Sequence, residues 1–254
     1  MTFNPPTPPQ FAGAFFRRLS RIACGSLMLL ALASPLPAAD MLYVTLNNNT
    51  IVTYDTTGNV GSTIAASVAT FANTNLNDPR GLAFDTSGNL YAGNWTNPGT
   101  ISKFNSSGVY QSNITSNLAN VAGLAFDSSG NLYAVNRTGN TISKFNSSGN
   151  YLSNITTNLN IPIGLAIDSS GNLYAANVGD STISKFNSSG VYQSNITTNL
   201  NSTAGLAFDS SGNLYASNTG SNTISKFSSS GGFQTPLSRS FDLRYNLLMT
   251  RMLR

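Results

Sequence analysis

The chain contains no glutamate and no histidine, and its nine acidic residues are all aspartate. With no imidazole, the usual base for activating a serine nucleophile and the commonest metal ligand are both missing. A single cysteine, Cys24, rules out a disulfide framework within the chain. Charge is scarce too, at 9% of 254 residues, and the formal net charge of +4 comes from arginines crowded at the two ends. Between residues 41 and 227, six cations face seven aspartates, a net charge of −1. So neutral a body carries no electrostatic footprint for a phosphate backbone, and nucleic acid is excluded as a partner. Strong helix formers are few. Glycine, serine, threonine and asparagine abound instead beside 10% aromatic residues, a mixture suited to short strands joined by tight turns.

An apolar stretch at residues 22–33 follows Arg17, Arg18 and Arg21 and runs into small residues ending at Ala39. Positive flank, apolar core and small-residue end together read as an export signal cut before Asp40. The run falls short of the roughly 20 residues that cross a bilayer core, and Pro35 and Pro37 block its extension, so no membrane span is expected after cleavage. The mature chain is expected to be secreted, periplasmic or at the cell surface. This divides the sequence into a signal at 1–39, a repeat region at 40–227 and an atypical tail at 228–254.

The repeat is the dominant feature. GLAFD at 81–85 returns at 123–127, as GLAID at 164–168, and again at 205–209, in steps of 42, 41 and 41 residues. SGNLYA follows each, placing Tyr91, Tyr133, Tyr174 and Tyr215, and TISKF then ends at Phe104, Phe145, Phe186 and Phe227. A Y-x-SNIT segment follows three of the units. Each unit thus carries four predicted strands, GLAF, NLYA, TISKF and YxSNIT, forming one antiparallel meander. In Asp127-Ser-Ser-Gly130-Asn131 the carboxylate can accept backbone N–H groups across the turn while Gly130 supplies a positive φ. Asn146-Ser-Ser-Gly149 repeats the device with an amide. Four-stranded units of about 40 residues match a propeller period, in which 4 to 8 blades surround a channel. The fold class predicted is an all-β propeller of about five repeat units.

In register, GLAFDSSGNLYAVNRTGNTISKFNSSG resembles the NHL repeat, and the resemblance covers about residues 41–227. It implies a β-propeller of the kind that serves as a binding platform, related to six-bladed propellers that include lactonases and lyases. One departure is systematic: where NHL repeats usually carry aspartate after the aromatic strand, this chain has Asn94, Asn136, Asn177 and Asn218, which removes a negative charge per blade from that face. The chain begins inside a blade. Residues 41–44 and 50–54 read as its second and third strands with no GLAFD before them. Counting the period forward predicts an outer strand near 232–237 and an inner-strand position at 246–250. The tail is therefore expected to close the ring by supplying the first blade's inner strand, the alternative being a truncated or shifted six-bladed form.

Chemistry-bearing residues divide into the repeated and the unique. Asp85, Asp127, Asp168 and Asp209 share one turn position, and a turn role explains all four better than metal ligation, since each loop offers a single carboxylate. Lys103, Lys144, Lys185 and Lys226 recur within the third strand and are too evenly spread to form a patch. Sequons such as 113–115, 154–156 and 195–197 arise from composition. Three residues break the repeat: Trp95 and Arg137, directly after Asn94 and Asn136, and Arg80, whose counterparts Ala122, Ile163 and Ala204 are apolar. Tryptophan and arginine are the types enriched in binding hot spots. Trp95, Arg80 and Arg137, with Asn94, Asn136, Asn177 and Asn218 beside them, are the candidate ligand contacts, and all are expected on one face near the channel mouth.

The leading function expected is an exported binding or scaffold propeller for a protein, peptide or glycan, acting as a monomer without a cofactor. A metal-dependent lactonase, hydrolase or lyase of the six-bladed type is the enzymatic alternative, disfavoured by the missing glutamate and histidine. A structural surface or matrix repeat is the third.

Overall fold

The structure, a computed structural model, describes residues 28–31, 41–46, 48–55 and 68–237, and the tail positions 246–250 lie outside them. Twenty strands form five four-stranded antiparallel sheets. The first blade holds β1 (Met28–Ala31), β2 (Met41–Leu46), β3 (Thr50–Asp55) and β4 (Val68–Ala72). The second holds β5 (Pro79–Phe84), β6 (Leu90–Asn94), β7 (Thr100–Phe104) and β8 (Tyr110–Ile114). The third runs through β9 (Val121–Phe126), β10 (Leu132–Asn136), β11 (Thr141–Phe145) and β12 (Tyr151–Ile155). The fourth comprises β13 (Pro162–Ile167), β14 (Leu173–Asn177), β15 (Thr182–Phe186) and β16 (Tyr192–Ile196). The fifth comprises β17 (Thr203–Phe208), β18 (Leu214–Asn218), β19 (Thr223–Phe227) and β20 (Phe233–Leu237). No helix occurs among the described residues.

The first strand of each blade lies innermost, β1 against β5, β5 against β9, β9 against β13 and β13 against β17. The glycine of GLAFD is what permits this. A Cβ on Gly81 would stand 2.2 Å from the Ala122 carbonyl oxygen, and one on Gly164 would stand 2.1 Å from that of Ala204. Neighbouring inner strands therefore approach backbone to backbone, leaving room for no side chain at that position. Outward from the channel, the blades pack face to face through the strand alternation. Between the second and third blades, Tyr91, Ile101 and Ile114 from one sheet meet Leu124, Leu132 and Phe145 from the next. The TISKF phenylalanines Phe104, Phe145 and Phe186 are wholly buried, and losing such a ring costs about 3–5 kcal/mol. The phenylalanine of GLAFD sits edge-on to the tyrosine of the preceding blade, as Phe126 does to Tyr91 with ring centroids 4.9 Å apart.

The turns behave as their residues dictate. Asp127 Oδ1 accepts from the backbone N–H of Ser129 at 3.0 Å and Asn131 at 2.8 Å, its Oδ2 accepts from Asn131 Nδ2 and Tyr133 O–H, and Gly130 takes a φ of 78°. Asn146 reproduces the backbone part of this pattern at Ser148 and Asn150.

Strand boundaries differ from the sequence expectation in two respects. Inner strands start before GLAF, because residues such as Pro79 already pair with the last residue of the second strand, Asn94. For the same reason the second strand runs on through Asn94 rather than stopping at the NLYA alanine. The outer strand expected near 232–237 is present as β20. The inner position beside β2, expected from the tail, is occupied by Met28–Ala31, which lies inside the stretch read as an export signal.

Candidate functional site

The meander gives the propeller two unlike faces. Turns joining first to second and third to fourth strands lie on one, the turn face. On the other, the loop face, lie the loops between second and third strands and the segments leading from each outer strand to the next inner strand. The four repeated aspartates and four lysines belong to the turn-face end of the blades. There Asp168 Oδ2 accepts the Tyr174 hydroxyl at 3.2 Å, while Lys185 Nζ lies 5.3 Å from the Tyr174 ring centroid. Burial raises the pKa of Tyr133, Tyr174 and Tyr215 above the usual tyrosine value, opposed by the lysine beside each. For Asp209, burial pushes the carboxyl up, but hydrogen bonds from Asn213, Tyr215 and Ser211 outweigh it and hold the pKa below the usual carboxylate value. These groups are engaged with one another in the second to fifth blades, the signature of a repeated structural clamp. Between the inner strands lies a channel cavity of about 290 Å³, lined by residues 82–84, 124–126, 165–167 and 206–208, all apolar.

The loop face is where the blades differ. Its described charged residues are Asp78, Arg80, Arg137 and Asp180. Trp95 follows β6, Arg80 lies at the start of β5, and Arg137 follows β10 of the next blade. The Arg80 guanidinium carbon lies 5.1 Å from the Trp95 ring centroid, and that of Arg137 lies 5.4 Å from the same ring. Three residues from three separate segments thus form one cluster, and backbone hydrogen bonds explain how. Trp95 N–H donates to the Asp78 carbonyl at 3.0 Å, tying the indole's loop to the segment carrying Arg80. Asn120 N–H donates to the Thr96 carbonyl at 2.7 Å, and Arg137 N–H donates to the Asn120 carbonyl at 3.3 Å. Asn120 therefore bridges the Trp95 loop to Arg137.

Each of the three side chains is half-buried. Trp95 packs against the apolar cluster containing Ala122, Ile163 and Ala204, each the second residue of the inner strand in one of the next three blades. The indole accordingly lies at the channel's loop-face end. Arg80 also pairs with Asp78, Nη2 to Oδ2, at 3.0 Å. Arg137 forms no ion pair among the described residues, and its Nε is buried without a hydrogen bond. Next to Trp95, the Asn97–Pro98 peptide bond is cis.

Asn94, Asn136, Asn177 and Asn218 lie on this face with their side chains turned inward. All four are at most 3% exposed. Asn136 Oδ1 accepts from Ala119 N–H at 3.0 Å, while its Nδ2 donates to Asn117 O at 3.2 Å, Thr141 Oγ1 at 3.0 Å and Ser143 Oγ at 2.8 Å. The Ser143 hydroxyl in turn donates a hydrogen bond to the Asn117 carbonyl at 2.6 Å. The same amide-to-hydroxyl-to-carbonyl relay holds in the second, fourth and fifth blades. These asparagines tether the second strands of the four repeat blades to the segment entering the same blade. The relay needs a donor at Nδ2, which aspartate lacks. Sequence reasoning missed the tether although a signal was present: each asparagine is followed by a threonine five or six positions on and a serine seven or eight positions on.

No protein-family profile matches the chain, and no curated protein sequence does. Solved structures do match in shape. Virginiamycin B lyase from Staphylococcus aureus superposes with a TM-score of 0.66 at 15% identity, over 84% of this chain and 71% of that one. A streptogramin B lyase gives 0.67 at 14% identity, over 84% and 69%. A chain of the nidogen/laminin complex gives 0.71 at 18% identity, over 85% and 81%. At such identities the likeness is one of fold, shared alike by a lyase and by a member of a protein complex. By architecture and by these likenesses, the chain is a five-bladed β-propeller of four-stranded blades.

Proposed function

We propose that the chain is an exported binding propeller that recognises a protein, peptide or glycan ligand through its loop face. The observation that carries this reading is the cluster of Trp95, Arg80 and Arg137, assembled from three segments at the channel's end. These three side chains break the repeat at matched loop positions, and they belong to the types that dominate binding energies. Function in such folds lies in sites grafted on the connecting segments, since turns and strands are held by geometry. The enzymatic alternative draws support from the lyase fold likeness alone. Among the described residues no group of three or more His, Cys, Asp or Glu side chains comes together. Export belongs to the same proposal, carried by the charge and apolarity pattern of residues 1–39, and cleavage before Asp40 removes β1 from the first blade.

The test is a pull-down from the native extracellular fraction with the propeller as bait, followed by a titration of the captured ligand. Saturable capture that Trp95→Ala weakens supports the binding reading. Absence of any saturable ligand favours the structural-repeat reading, and a reaction abolished by a chelator favours the enzymatic one.

A further inference from the structure

We propose that the Trp95 cluster takes a single carboxylate from an acidic side chain of an extended peptide, with the Arg137 guanidinium as its primary contact. This rests on the loop-face binding reading above and specifies its ligand chemistry. A guanidinium over an aromatic ring spends its face on the ring and keeps its in-plane N–H donors, arranged in the fork that suits a carboxylate. Of the two arginines, Arg80 is committed to Asp78 at 3.0 Å. Arg137 has no acidic partner among the described residues, and its Nε is already withdrawn from solvent. Half-burial beside an apolar cluster lowers the local dielectric, which strengthens attraction to an incoming anion. A cation held in this way by the fold, its backbone tied through Asn120, meets an anion with little side-chain entropy left to lose.

The charges nearby narrow the class further. Asp78 stands beside Arg80, and Asp180 occupies the corresponding loop of the fourth blade. A polyanion spread over this face would meet both carboxylates, whereas one isolated carboxylate meets the guanidinium alone. A sugar ring binds tryptophan through a bare indole face, but here two guanidiniums lie over the ring. A carboxylate on a peptide can reach Arg137 at its edge without displacing either.

Trp95 is the sole tryptophan in the chain, so its emission reports on this site alone. The experiment titrates the full chain with a short blocked peptide carrying one central aspartate, and separately with its asparagine counterpart, sodium acetate and glucuronic acid. The expected result is a saturable change in emission with the aspartyl peptide, at least about tenfold tighter than with the asparaginyl peptide or acetate, as a charge-assisted contact requires. Arg137→Gln should lose that advantage while its thermal melt stays close to that of the unaltered chain. Equal binding of the two peptides, a tighter response to glucuronic acid, binding unaffected by Arg137→Gln, or no response to the aspartyl peptide overturns the assignment. If the pull-down ligand still depends on Trp95 but not on Arg137, the carboxylate inference falls while the binding reading stands.

Discussion

Replacing Asn136 by aspartate changes almost nothing in shape and reverses the chemistry of the loop tether. The carboxylate can still accept from Ala119 N–H, but it cannot donate to Asn117 O, Thr141 Oγ1 or Ser143 Oγ. Ser143 would have to turn its proton away from the Asn117 carbonyl to face the new carboxylate. Each net hydrogen bond lost costs about 1 kcal/mol, and a buried charge set against the Asn117 carbonyl costs several more. Because the side chain is 3% exposed, water cannot compensate, and Asn136→Asp should destabilise the fold by about 3–5 kcal/mol at neutral pH. The pH dependence has a definite sign. The new carboxyl has a folded-state pKa raised above its unfolded value of about 3.9, so its destabilisation shrinks below that value and reaches its full size as pH rises through the folded pKa. Urea unfolding of both proteins at about pH 3.5 and pH 7 measures this difference directly. A loss below about 1 kcal/mol at pH 7, or one that does not shrink on acidification, would refute the donor relay.

Ile161 holds a φ of 49°, where its counterparts are Asp78, Asn120 and Ser202; since β-branched residues are strained there, Ile161→Asn should gain about 1 kcal/mol in urea unfolding. Tyr43, Tyr133, Tyr174 and Tyr215 have pKa values raised by burial, so their contribution is intact below the unfolded value near 10 and lost as pH rises through the folded values. Thermal melts should therefore fall only as pH rises above about 10, in step with phenolate absorbance. Removing residues 1–39 deletes β1 and bares an edge of β2, so that chain should melt lower and aggregate more readily than one lacking 238–254. The opposite ranking would hand the inner-strand position to the tail.

The repeat was legible because its parts answer to local rules. Positive-φ glycines, Asx turns and two-residue alternation fix each hairpin without reference to the rest of the chain, and four copies in register made the strands plain. The grouping of Trp95, Arg80 and Arg137 could be read because unit-specific residues at matched loop positions must share a face. The asparagine tether was not read, since its partners lie in the segment entering the same blade, about 17 to 26 residues earlier, and only the folded meander brings them together. Nor was β1: an apolar run with basic flanks satisfies both an export signal and an inner strand, and local pattern does not separate the two. The Asp78–Arg80 pair escaped notice because an aspartate two positions before an arginine signals nothing until the strand start turns both toward the same loop.

The central claim is that the loop face around Trp95 is the recognition site. Its most direct test is the affinity of the captured extracellular ligand for the full chain and for Trp95→Ala, each checked by thermal melt. The indole is only half-buried, so the variant should remain folded with a modest loss of stability. The account predicts binding weaker by about 1 kcal/mol or more, roughly fivefold, in the folded variant. Unchanged affinity in a folded Trp95→Ala protein would place recognition elsewhere on the propeller and contradict the account.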